Sequence, residues 1–309
     1  MKFVWRMSYK RRDERIPIQP DDDIPLVDCH AHFLEREPLR KPTHSIQSQY
    51  DFFFKKHKGQ FIINSGHIYK DEHLYQFEFI KKHPGVYLTI GCLKPSDRYG
   101  MDTVNEEHPI FIDVLENFQE NYVGIGEFGL DFHHAKKMSR RTEQIEYFQR
   151  VIQETEHLKK PYILHVRNAT QRDVDQHNPN HEYNQRDFCN RAVTRILEEE
   201  GIEPERVQWH CFSGPQDWGK KLAKQGYYIS VPSSAYGFTR WRRNIPGVPL
   251  DKLLTETDSC MQHPFKMGSF NNPANVKYSV AAIAYENKME QLEVAEQIEK
   301  NARKFFGIK

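Results

Sequence analysis

No stretch of this chain is apolar for long enough to cross a membrane as a helix, which takes about 20 consecutive apolar residues. Mean hydropathy is −0.79, and charged residues make up 28% of the chain. The start, MKFVWRMSYKRRDER, is charged. It has no apolar core followed by a small-residue cleavage site, so it does not read as a secretory signal. Cysteine is scarce: five residues, at 29, 92, 189, 211 and 260, odd in number and never spaced as CxxC. That argues against a disulfide framework and a thiolate zinc site, and makes a reducing cytoplasm the expected location. A dominant charge is also missing, since 44 Lys and Arg face 43 Asp and Glu for a net charge of +1. Any contact with a polyanion must therefore come from a local patch. Repeats, low-complexity tracts and linker-like composition shifts are absent as well.

What the 309 residues do contain is alternation. Short β-branched or aromatic runs recur at 24–28, 61–64, 86–90, 122–126, 162–166, 206–210, 227–231 and 252–257, with longer amphipathic stretches between them. In TEQIEYFQRVIQETEHLKK, apolar residues fall at 145, 148, 151, 152 and 158, a helical spacing. RAVTRILEEEG stops at Gly201, and VAEQIEKNARKFFG closes the chain. Eight strands alternating with helices predict an α/β fold, a (β/α)8 TIM barrel, over residues 24–309. Residues 1–23, rich in Arg, Asp and Pro, read as an N-terminal extension laid on the surface or partly disordered.

In such a barrel the chemistry sits at the C-terminal ends of the strands. The first strand ends in DCHAHF, with Asp28, His30 and His32. The fourth ends at Glu127 in GIGEFGLDF, the fifth carries His165 in ILHVRNA, the sixth His210 in WHCFSG, and the eighth Asp258 in TETDSC. Alternate residues of a strand face one side, so His30 and His32 can chelate one ion while Cys29 and Ala31 point away. Imidazole with carboxylate suits Zn, Mn, Fe or Ni. Six ligands exceed one tetrahedral site, so two ions sharing a carboxylate is the economical reading. Taken singly, each residue has a plainer role as a surface charge, cap or core group. Their common position at one end of the barrel argues for the site. His133, His134, His177, His181 and His263 fall in loops and read as solvated, or as supports behind the ligands.

DCHAHF, GEFGLDF, LHVRNA, HCFSG and TETDSC followed by NNPANV resemble, in order and spacing, the signatures of the TatD family of metal-dependent deoxyribonucleases in the amidohydrolase superfamily. The resemblance runs from about Ile24 to the C-terminus. It implies a TIM barrel holding two divalent ions (Zn, Mg or Mn): His30 and His32 with Asp258 on the first, His165 and His210 on the second, and Glu127 bridging. It further implies hydrolysis of DNA phosphodiesters, often from the 3′ end. Arg167 and Ser213 fall at motif positions near the pocket. Three departures concern the rim: GCLKP where the family usually has a histidine in GxHP, Lys266 in KMGSFNNP where it usually has an arginine, and a longer polar connection after Arg167.

Hydrolysis of a phosphodiester needs an activated hydroxide, which Asp258 is placed to orient as general base beside Glu127, with Arg167 on a nonbridging oxygen. The loop YGFTRWRRN interleaves Tyr236, Phe238 and Trp241 with Arg240, Arg242 and Arg243, and KKMSRR follows the fourth strand. Arg240, Trp241 and Arg242 are therefore expected substrate contacts, joined by Ser213 as the resemblance implies from its motif position, with stacking and phosphate binding suited to single-stranded DNA or a frayed end. An amidohydrolase acting on a small ester, lactone or amide is the alternative. The run YVGIGEFGLDF has no lysine to carbamylate, which argues against the phosphotriesterase branch. A non-catalytic nucleic-acid-binding barrel is disfavoured, because a full set of buried ionisable groups is costly to keep.

Overall fold

The computed structural model describes residues 16–34, 43–67, 71–170, 173 and 178–309. Residues 1–15 of the expected extension, and residues 171, 172 and 174–177 of the polar connection after Arg167, His177 among them, lie outside the described residues. Eight strands form one parallel sheet in sequence order: β1 (Pro25–Ala31), β2 (Lys58–His67), β3 (Val86–Gly91), β4 (Gly124–Asp131), β5 (Tyr162–Arg167), β6 (Val207–Trp209), β7 (Tyr228–Pro232) and β8 (Leu253–Glu256). The helices between and after them are α1 (Ile46–Asp51), α2 (Glu72–Lys82), α3 (Met101–Asn117), α4 (Met138–Thr155), α5 (Phe188–Glu199), α6 (Gln216–Gln225), α7 (Thr239–Arg242), α8 (Lys277–Asn287) and α9 (Gln291–Phe306). This is the (β/α)8 barrel expected from the alternation. Among the described residues no helix is long and apolar enough to cross a membrane.

The seam between β8 and β1 is closed by hydrogen bonds rather than by a regular ladder. Asp258 N–H donates to the His30 carbonyl at 2.9 Å, and Thr255 Oγ1 donates to the Val27 carbonyl at 2.7 Å. Thr257 donates to Asp28 through its backbone N–H (2.9 Å) and its hydroxyl (2.5 Å). The first motif's aspartate thus ties the last strand to the first.

α9 shows why the layers hold. Val294, Ala295, Ile298, Asn301, Ala302, Phe305 and Phe306 are buried, a stripe at helical spacing against the barrel. Asn301 donates to the carbonyls of Leu250 and Leu253 at 2.8 Å each, and Gly307 (φ 67) ends the helix. The predicted helix at 142–160 begins earlier, at Met138, and its last turn is 3₁₀ (Glu156–Leu158). Residues 16–23 run along the outside: Ile16 N–H donates to Tyr236 O, Tyr236 Oη to Ile18 O at 2.8 Å, and Lys277 pairs with Asp22 at 2.5 Å.

The largest difference from expectation is in β4. It runs four residues past Glu127, to Asp131. Gly126 (φ 142) and Gly129 (φ 143) disguise the strand period. They are required because a Cβ at either would collide with the Ile163 or His165 carbonyl of β5.

Candidate metal centre

β1 delivers His30 and, one residue past its end, His32; their Nε2 atoms lie 3.1 Å apart. β4 delivers Glu127, β5 His165, His210 directly follows β6, and Asp258 lies two residues past β8. Glu127 Oε2 sits at the centre, 2.8 Å from His210 Nε2, 3.3 Å from His165 Nδ1 and 3.6 Å from His30 Nε2. Asp258 Oδ1 lies 3.6 Å from His32 Nε2 and 3.9 Å from His30 Nε2. His210 Nε2 and His165 Nδ1 are 3.3 Å apart. All six side chains named from the strand ends are therefore in one cluster. Three overlapping sets have ligand atoms within 4.8 Å of one another: His30, His32 and Glu127; His30, His210 and Asp258; Glu127, His165 and His210.

The donor set fits a divalent cation. Asp258 Oδ1 is buried and accepts no hydrogen bond among the described residues, which costs free energy unless a cation or donor meets it. Burial, then the neighbouring His210 and His32, hold His30 well below the usual histidine pKa, so its lone pair is free to ligate. Burial works to raise the Glu127 pKa but is outweighed by His165 and His210, and the carboxyl ends well below its usual range. For Asp258 burial prevails over His210 and His32 and pushes the carboxyl up to about 6. Asp258 (φ 50) and Cys211 (φ 44), next to His210, both adopt the left-handed backbone region. Non-glycine strain of this kind collects at functional sites.

Behind these six stand three carboxylates whose supporting roles the motifs did not disclose. Asp131 Oδ2 lies 3.1 Å from His165 Nε2, so the imidazole turns Nδ1 towards Glu127. Burial raises the Asp131 pKa, but the hydrogen bonds from His134 and His165 win and hold it well below the usual value. Glu256, fully buried, is 3.3 Å from His210 Nδ1. Burial lowers the His210 pKa, and Glu256 and Glu127 together reverse the effect, leaving it well above the usual value. Asp28, fully buried, is pushed well above its usual pKa by burial, against the donors of Thr257 and His30. A signal was available in alternation: Asp28 precedes His30 by two, Glu256 precedes Asp258 by two, and Asp131 follows Glu127 by four.

The rim departs from expectation. Trp241 is 7% exposed and packs edge-on to Phe238 (6.0 Å between centroids). Its ring is core, and is not presented for base stacking. Arg242 is spent on the fold: it pairs with Glu286 at 3.1 Å and donates to the Tyr236 carbonyl at 3.1 Å. Arg141, in the KKMSRR run, is fully buried and bonds the Ala135 carbonyl at 2.8 Å. Arg240 is different. It is exposed, and no carboxylate among the described residues pairs with it; crowding by its surroundings and then the like charge of Arg167 lower its pKa. Arg167, half-buried and two residues beyond His165 on the same strand face, also has no carboxylate partner among the described residues. Ser213 is half-buried in the loop after β6.

Comparison with known proteins agrees with this architecture. The model of the TatD related DNase family matches residues 27–307. An uncharacterized metal-dependent hydrolase of Bacillus subtilis, YabD, is 31% identical over 75% of this chain and 81% of its own length. Human deoxyribonuclease TATDN3 is 26% identical over 92% of this chain and 95% of its own. The crystal structure of a TatD family hydrolase from Entamoeba histolytica superposes with a TM-score of 0.71 at 13% identity, covering 94% of this chain and all of that one, and so shares the fold. With a family match across nearly the whole barrel and the motif side chains gathered at its mouth, the chain belongs to the TatD family and is a metal-dependent hydrolase.

Proposed function

We propose that this protein hydrolyses DNA phosphodiester bonds, releasing nucleotides from the 3′ end of a single strand or frayed duplex. The observation that carries the reading is the conjunction of six converging donors with two guanidiniums, Arg167 and Arg240, that have no carboxylate partner among the described residues, on the same mouth. His30, His32 and Asp258 would hold one divalent ion, His165 and His210 a second, and Glu127 both. Two such ions supply Lewis-acid charge and lower the pKa of a bound water. The chain's own part is orientation and charge. Asp258 accepts the proton of the attacking water, and Arg167 and Arg240 bind the negative phosphate oxygens. Asp131 and Glu256 keep His165 and His210 aimed at the centre. The name of the human relative, a deoxyribonuclease, supports the choice of DNA.

The test is cleavage of a 3′-labelled single-stranded DNA by chelator-stripped protein resupplied with Mg, Mn or Zn, beside Glu127→Ala. Metal-dependent release of labelled mononucleotide that the substitution abolishes is the expected result. Absence of cleavage with every metal, in protein that still binds two ions, would sink the DNA assignment and shift the substrate to a small ester or amide.

A further inference from the structure

The two-ion reading leaves an exposed histidine without a part. His134 stands in the turn after β4 with its side chain 61% exposed. Its Nδ1–H donates to Asp131 Oδ2 at 2.8 Å. The same oxygen accepts from His165 Nε2 at 3.1 Å, and His165 Nδ1 faces Glu127 Oε2 at 3.3 Å. Surface imidazole, buried carboxylate and candidate ligand thus form one hydrogen-bonded row. Asp131 is 2% exposed. Its other oxygen accepts the backbone N–H groups of His133 (3.1 Å) and His134 (3.2 Å). The neighbouring His133 turns elsewhere, to Asp173 Oδ2 at 3.0 Å.

The turn itself is rigidly built. Arg141, fully buried, donates to the carbonyls of Ala135 (2.8 Å), Phe132 (3.4 Å) and Asp173 (2.5 Å). Gln144 Oε1 accepts the Asp131 N–H at 2.8 Å. The backbone under His134 is therefore fixed, and its side chain reaches Asp131 from a preset place.

We propose that His134 is a positioning residue for the metal centre: acting from the surface through Asp131, it holds His165 with Nδ1 presented to the ion shared with Glu127 and His210. The proposal rests on the two-ion reading above. The physical reason is proton placement. An imidazole that ligates through Nδ1 must keep its proton on Nε2, and a carboxylate fixed in front of Nε2 enforces that form. With only His165 on Oδ2, the carboxylate has one side-chain donor to set its plane; His134 supplies the second. Partners behind a ligand are worth about 10–100-fold in metal affinity. His134 acts one bond further out, so its loss belongs at the lower end, about ten-fold.

The experiment titrates full-length, chelator-stripped protein with Zn²⁺ alone in competition with a chromophoric chelator. The proteins are wild type, His134→Leu, His134→Asn, Asp131→Asn and His165→Ala, the last defining which binding event belongs to His165. His134→Leu should weaken that event about ten-fold and leave the other unchanged. Asp131→Asn should weaken it more. His134→Asn, whose amide N–H sits near the place of Nδ1, should restore most of the affinity. The metal-free unfolding temperature should be the same in both His134 variants. Unchanged binding in His134→Leu overturns the proposal alone. A loss shared by both events, with a lower metal-free unfolding temperature, overturns it by making His134 a residue of the fold. Wild type that binds one ion regardless of His165→Ala overturns the two-ion reading and the proposal together.

Discussion

Two regions share the mouth of this barrel and are held differently. At the strand ends three polar groups are fixed by the ladder beneath them and by a buried partner behind: Asp131 for His165, Glu256 for His210, Thr257 for Asp28. In the loop after β7, neighbouring side chains of similar chemistry have separate fates. Arg240 faces solvent, Trp241 enters the core, and Arg242 binds Glu286 and backbone carbonyls. A strand imposes a direction on every second side chain. A short helix of four residues, such as α7, points its side chains around the whole axis, and packing then decides which become structural.

That contrast can be broken or sharpened by substitution. The largest effect is expected at the strand ends: Asp258→Asn should lower kcat by about 10²–10⁴-fold with the fold retained, as followed by circular dichroism and steady-state assay. Trp241→Ala should instead cost stability, roughly 3 kcal/mol or more in a denaturant titration, with little change in KM for the protein that stays folded. Equal stability with weakened DNA binding would return Trp241 to the substrate surface. Metal affinity should fall with acid. The Asp258 carboxyl, pushed up by burial to about 6, holds a proton below that pH which an ion must displace. His210, held above the usual histidine value, also carries a proton that an ion must displace, so affinity should already fall as pH drops towards 6 and fall more steeply below it; a flat profile from pH 7.5 to 5 would contradict the assignment of His210 and Asp258 as ligands. The smallest effect is at Arg240. Its replacement by Ala should leave stability unchanged, raise KM a few-fold and reduce the dependence of log K on log salt by about 0.7, one phosphate contact on a single strand.

Much of the site was legible because its residues come as alternating pairs at the ends of apolar runs. His30 and His32 advertise one face of a strand, and the runs before them advertise the strand. β4 was read short because Gly126 and Gly129 interrupt the apolar period, and with the strand cut at 126 there was no reason to place Asp131 beside His165. Glu256 was passed over for a related reason. Next to Asp258 it reads as one more acid, and only its full burial against His210 gives it a task.

The rim was misread in a way no pattern corrects. Arg141 and Arg240 are both arginines beside strand ends; one is sealed among carbonyls and the other faces water. The order of strands, the end of the barrel that carries the chemistry, and the histidines and acids gathered there follow from local periodicity and composition. These act within a few residues and survive in a bare string of letters. The partner of Arg242, the burial of Trp241 and the reach of Asp131 to His165 depend on segments up to 44 residues apart meeting in space. Packing chooses among such meetings by burial and hydrogen-bond satisfaction over the whole molecule, and only the folded chain records the choice.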